Sequence, residues 1–282
     1  SHPTRDRRPS PAVFREAFCL YLGADSPLCR GLDATVHCSR QGPVRLDVHG
    51  WRLDCATLPG NSWKEQHDEM DEMVCDDVRR AGVPGKYQPK DIFRNCLPQD
   101  REALRGLVPD MRLRLNLRLR GRYSGRMDFL FDTKTIHAGS THYRRATQRH
   151  PHGSVERRAK EVAGEACRKA REKDERYNGV PRGSQQVGPV MRMLNSFPPV
   201  QGICWGAYGE SSEHVSTLVE VTAAGMATSR WRLMGARSLG EAKAYLACLL
   251  WRRWGCAAVF SYARMRVARM PFVGRSAAEI AR

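Results

Sequence analysis

No stretch of this sequence approaches the roughly 18 consecutive apolar residues that a membrane-spanning helix needs. Leu249, Leu250 and Trp251 run at once into Arg252 and Arg253. The chain is expected to be soluble and to have no membrane partner. Cys-x-x-Cys is also missing, and no signal peptide precedes the ten cysteines, so a secreted disulfide framework is not indicated and a reduced, intracellular setting is the expectation. Cys19, Cys29, His37 and Cys38 fit zinc only with irregular spacing, and buried free thiols are the commoner use of such residues. The segment Gly206 to Glu210 lacks the Gly-Lys-Ser/Thr ending of a phosphate loop and reads as a tight strand-to-helix connection. No internal repeat is evident, and no Ser/His/Asp set is marked by spacing.

Acidic residues are scarce overall. The 30 Asp+Glu stand against 47 Lys+Arg, giving a net charge of +17 on 282 residues, a balance typical of chains that bind phosphate. Arginine predominates among the cations, and it reads phosphate bidentately where lysine acts as a point charge. Nucleic acid is the expected partner, DNA ahead of RNA, and a nuclear location ahead of a cytoplasmic one. Other domains of a larger polypeptide are further expected partners, because Ser1 is not an initiating methionine.

Residues 1–12 are polar, basic and proline-rich and read as an arm. Pro43 to Cys55 alternates apolar and polar residues around His49-Gly50, the pattern of a small hairpin. We place these in an N-terminal region, residues 1–60, ahead of a main domain of residues 61–282 that ends in a strand and helix extension. Ser62-Trp63-Lys64-Glu65 fits a capping box opening a long helix that Gly82 and Pro84 end. On it Trp63, His67, Met70, Val74 and Val78 share one face. Seven acids from Glu65 to Asp77 make an acidic island, read mainly as a solvated face.

The most patterned stretch begins at Pro109. Leu113, Leu115, Leu117 and Leu119 take one parity and Arg112, Arg114, Asn116, Arg118 and Arg120 the other, the period of a half-buried strand. After Gly121 and Gly125 a second strand places Met127, Phe129 and Phe131 on one side, with Asp128, Leu130, Asp132 and Lys134 on the other. A helix from Ser154 to about Tyr177, a buried strand in Val200 to Tyr208, a helix from Ser212 to Ala223 and a last helix capped by Ser238 and Glu241 follow. The fold class is α/β (α+β), a mixed central β-sheet flanked by helices.

Asp132 and Lys134, two apart on a strand, project from one face about 7 Å apart along the backbone. Hydrolysis of a phosphodiester needs carboxylates that hold a divalent cation and a group that positions water. The second acid must come from another element, and Asp110 is placed to supply it. A turn centred on Tyr123 would set Asp110 opposite Ile136, so a meeting with Asp132 needs a bulge or a register centred on Gly121. At these residues the chain resembles the PD-(D/E)XK (restriction-endonuclease-like) nuclease superfamily, through Pro109-Asp110 and Asp132-Thr133-Lys134. The resemblance covers about residues 62–177. It implies a Mg²⁺-dependent (or Mn²⁺-dependent) DNA endonuclease, with Asp110 and Asp132 as metal ligands and Lys134 positioning the attacking water. In that family a helix ahead of the hairpin often adds an acid, which makes His67 and Asp71 further site candidates. Arg112, Arg114, Arg118, Arg120, Arg144, Arg145 and Arg149 are the expected nucleic-acid contacts. The arm and the missing methionine fit a cleavage domain of a mobile element. The alternative is a non-catalytic, basic nucleic-acid-binding or ribonucleoprotein subunit.

Overall fold

A computed structural model of the chain describes residues 8–38, 42–60, 62–116, 126–139, 151–276 and 279–280. Its centre is a four-stranded mixed sheet. Strands β3 (Gly85–Tyr87), β4 (Met111–Asn116) and β5 (Arg126–Thr135) are antiparallel neighbours, and β6 (Gln201–Trp205) adds parallel to β5. Before the sheet come α1 (Pro11–Leu22), a two-stranded ribbon of β1 (Thr35–Cys38) and β2 (Gly42–Arg45), α2 (Trp51–Cys55) and α3 (Ser62–Arg80). A short α4 (Arg101–Leu104) lies between β3 and β4. The 27-residue α5 (Pro151–Tyr177) and α6 (Pro189–Asn195) form the crossover to β6, and α7 (Glu213–Arg230) and the 31-residue α8 (Leu239–Arg269) complete the chain's large helices.

The parity of the two central strands decides which helices cover which face. Met111, Leu113, Leu115, Phe129 and Phe131 pack with Met70, Val74 and Val78 of α3 and with apolar residues of α7 and α8 in the largest core cluster. Leu130, of the other parity, packs with Val162 and Ala170 of α5, Val190 and Leu194 of α6 and the segment around Phe93. The sheet is thus buried on both sides, which parallel pairing of β5 with β6 requires.

Two glycines set close approaches. A Cβ on Gly202 of β6 would lie 2.4 Å from the Ala159 carbonyl oxygen, so the backbone of α5 rests directly on the strand. A Cβ on Gly188 would lie 2.2 Å from the Asp174 carboxyl carbon. That carboxylate is buried and accepts the Val190 and Met191 amides, 2.9 Å each, at the start of α6. Gly202→Val is expected to destabilise by about 1–3 kcal/mol through overpacking. Urea denaturation tests this, and an unchanged midpoint would show that α5 can yield.

Several expectations are corrected. Pro11 and Ala12 belong to α1, not to an arm: Ser10 Oγ accepts the Val13 amide at 3.3 Å and Pro11 sits at the first helical position, where its missing N–H costs nothing. The hairpin is shifted. Its strands are β1 and β2, and the second expected strand is the helix α2, because Asp47 accepts the amides of His49, Trp51 and Arg52 and holds the chain in a helical start. Ser62 is the first helical residue of α3 and not its cap. The box at α8 is as expected at Ser238, whose Oγ accepts the Glu241 amide at 3.1 Å, while the Glu241 carboxylate takes the amide of Arg237. Asp71 and Asp77 are buried and do not belong to a solvated face. Asp77 accepts from Trp254 Nε1 at 2.9 Å and lies 3.1 Å from Arg253, which ties α3 to α8.

The N-terminal elements are fastened to α8 by buried charge. Arg266 lies between Asp54 of α2 and Glu16 of α1, with N–O separations of 2.7–2.8 Å, and its side chain is 1% exposed while both carboxylates are fully enclosed. Tyr262 donates to the same Asp54, and Ser26 donates to Glu16 at 2.7 Å.

Candidate metal centre

His67 and Asp71 are four apart on α3 and therefore rise from the same helical face. That face meets the sheet where β4 begins and β5 ends. The ladder pairs Met111 with Phe131, so one step further Asp110 stands opposite Asp132. This is the register centred on Gly121, and it brings the two acids together without a bulge. One Asp110 oxygen accepts the Thr133 amide at 2.6 Å, which pins the carboxylate to the neighbouring strand.

His67 fits between two carboxylates. Its Nε2 is 3.5 Å from that same Asp110 oxygen and 3.2 Å from the Thr133 carbonyl oxygen, and its Nδ1 is 3.2 Å from Asp71. One ligand atom each from His67, Asp71 and Asp110 lie within 4.8 Å of one another, the only such group of three or more metal-ligand side chains among the described residues. Lys134 Nζ lies 2.5 Å from Asp132 on the same face of β5.

The charges in this cluster are in conflict. Burial, followed by the nearby Asp110 charge, pushes Asp71 up to about 7. Burial also pushes Asp132 up to about 6, with Asp110 adding to it and Lys134 opposing. Burial works against ionised Asp110 as well, but His67 and the Thr133 amide outweigh it and hold the group below its ordinary value. On His67 burial is overcome by Asp110 and Asp71, which raise the imidazole to about 9. Three acids within reach of one another and only partly neutralised is an arrangement that a cation relieves.

The residues fit a divalent metal. Both Asp71 carboxylate oxygens are buried without a well-formed hydrogen bond, with the Thr133 side chain and the His67 imidazole as their polar neighbours. Buried polar atoms are seldom left so. Carboxylates with one imidazole form a donor set suited to Mg²⁺ or Mn²⁺ and, through the nitrogen, to later first-row ions.

Of the expected nucleic-acid contacts, Arg112 and Arg114 are engaged within the protein. Asp128 sits opposite Arg114 in the ladder and receives two hydrogen bonds from it, at 2.7 and 3.3 Å. Arg112 lies 3.8 Å from both Asp91 and Asp128. Opposed acids on the neighbouring strand and on the Asp91 turn therefore share this face with the two arginines, and the Arg114 side chain stays 54% exposed. Arg118, Arg120, Arg144, Arg145 and Arg149 lie outside the described residues. Cys29 and Cys38 are buried free thiols, and neither they nor Cys19 and His37 enter a metal-ligand group among the described residues. Residues 206–210 do form the tight connection expected of them, with the Gly206 amide bonded to the Glu210 carbonyl.

Sequence reading passed over Tyr87 and Gln88 at the end of β3. Tyr87 pairs with Met111, and the Gln88 amide donates to the Asp110 carbonyl at 2.7 Å. Both residues thus adjoin the acid pair. Comparison of the chain with protein-family models, with curated proteins and with solved structures gave no match.

Proposed function

We propose that the chain is a metal-dependent nuclease of restriction-endonuclease-like arrangement that hydrolyses phosphodiester bonds, with DNA as the substrate. The observation that carries this reading is the β4–β5 register, which opposes Asp110 to Asp132 and leaves Lys134 beside them. A helix ahead of the hairpin that contributes His67 and Asp71 to the same cluster adds to it.

Asp110 and Asp132 would hold the metal, with Asp71 and His67 as further ligands. The ion, Mg²⁺ or Mn²⁺, supplies charge stabilisation to the leaving oxygen and acidifies water. Lys134 orients the attacking water and stabilises the negative charge that develops as its proton leaves. Asp132 fixes that ammonium, and the Thr133 amide fixes Asp110, so the reacting groups are held before substrate arrives. The net charge of +17 draws a polyanion to the surface.

Nicking of supercoiled plasmid in Mg²⁺ or Mn²⁺ tests the proposal. Asp132→Ala and Lys134→Ala are each expected to lower the rate by about 10³ or more, the effect of several kcal/mol of lost charge stabilisation. Wild-type activity that persists unchanged in both variants would end the nuclease reading. Salt-sensitive binding of DNA with no cleavage would favour a non-catalytic nucleic-acid-binding protein.

A further inference from the structure

Among the described residues, the cations at the rim of the acid cluster are committed to carboxylates. Lys64 is paired with Asp68, Lys86 with Asp91, and Arg112 lies between Asp91 and Asp128. A phosphodiester brought to the metal centre presents two non-bridging oxygens that need donors. The end of β3 supplies them.

Gln88 is the one non-glycine residue with positive φ among the described residues, at 42°. Its backbone is held there from both sides. The amide donates to the Asp110 carbonyl, and the carbonyl accepts the Lys90 amide at 2.7 Å across Pro89. Glycine would take this conformation with less strain. The Gln88 side chain is exposed and makes one hydrogen bond, from Nε2 to the Tyr87 hydroxyl at 3.3 Å. Because the hydroxyl accepts there, its own proton stays available, and so does the second N–H of Gln88. Tyr87 packs on the largest core cluster, with Met70 and Val74 of α3, and pairs with Met111, the residue after Asp110. Among the described residues β3 is the edge strand of the sheet, which places Tyr87 and Gln88 at the sheet's border.

We propose that Tyr87 and Gln88 are phosphate-binding residues, donating O–H and N–H to the non-bridging oxygens of the phosphate seated at the Asp110–Asp132 pair. The proposal rests on the nuclease reading for the position of that phosphate. It assigns the strained backbone at Gln88 a purpose, since strain persists where the surroundings demand a particular placement.

The test compares wild type, Gln88→Gly and Tyr87→Phe in two measurements. Duplex DNA is titrated in Ca²⁺, where binding proceeds without cleavage, and plasmid nicking is followed in Mg²⁺. Each variant is expected to raise Kd and KM about tenfold while kcat stays within about twofold, the pattern of lost uniform binding. The melting temperature of Gln88→Gly is expected to be equal to or above that of wild type, which separates a lost contact from a damaged fold. Unchanged Kd and KM in both variants would overturn the proposal. So would a tenfold loss confined to Gln88→Gly and accompanied by a lower melting temperature. A wild type that binds but never cuts removes the nuclease reading alone, and the Kd comparison then decides this one. A wild type that does not bind overturns both.

Discussion

Arg266→Ala is expected to cost about 3–5 kcal/mol of stability, the penalty for removing one partner of a buried ion network. The side chain neutralises Glu16 and Asp54, neither of which reaches solvent. Its loss strands two carboxylates in the interior and leaves Tyr262 and Ser26 as their remaining donors. The same change unties α1 and α2 from α8, so unfolding of the first 55 residues is expected to precede that of the sheet. Urea denaturation followed by intrinsic fluorescence measures the total, and hydrogen exchange of the α1 amides locates it. A triple variant, Arg266→Met with Glu16→Leu and Asp54→Leu, is expected to regain most of the loss, because apolar replacement also removes the desolvation cost. A cost for Arg266→Ala below about 1 kcal/mol would mean that water reaches the network freely.

The second large effect has the opposite sign. Asp71→Asn is expected to stabilise the metal-free protein at about pH 8 by roughly 2–4 kcal/mol while abolishing stabilisation by Mn²⁺. Asp71 and Asp132 are held near 7 and 6, above the 3.8 of the unfolded chain. A carboxyl raised in the folded state binds its proton more tightly there, so stability falls as pH climbs from about 4 through the folded value. His67 adds in the same direction. Raised from 6.5 to about 9, it contributes stability below 6.5 that is lost as pH passes through 9. Asp110, lowered in the folded state, works the other way, with a contribution that is lost only as pH falls through its folded value. The melting temperature in chelator is thus expected to drop between about pH 4 and 9, and Mn²⁺ to restore it at the higher pH. A variant less stable than wild type in chelator at pH 8 would sink the idea that Asp71 is held in place for a cation.

How much of this could be read in the residues follows from what each signal encodes. The Arg/Leu alternation after Pro109 assigned the faces of β4 correctly, and Met127, Phe129 and Phe131 did the same for β5. The register could not be read from that pattern. Setting Asp110 against Ile136 or against Asp132 differs by four residues, and only an odd slip turns side chains to the wrong face. The pattern is silent between even registers, and the candidate site depends on that choice. His67 and Asp71 were marked by the resemblance, through the helix ahead of the hairpin, and by their spacing of one turn, neither of which gives Asp71's burial or its contact with the sheet. α1 was hidden because Phe14, Phe18 and Tyr21 point outward at 52%, 54% and 67% exposure and blur the apolar period. The Arg266 network joins three segments distant in sequence, and no local rule connects them. The φ of Gln88 is set by its neighbours' hydrogen bonds, so the residue type gave no hint of it.

Selection would leave contrasting marks at three of these positions. Gly202 and Gly188 have no room for even a methyl group, so any lineage descended from this chain would keep them through purifying selection on space alone. Their constancy would imitate that of the acids without signifying chemistry. Gln88 is the reverse case: mutational drift should carry it towards glycine, which the backbone prefers, unless the side chain is used. A glutamine that endures at a position built for glycine would therefore say more about substrate than an invariant glycine could.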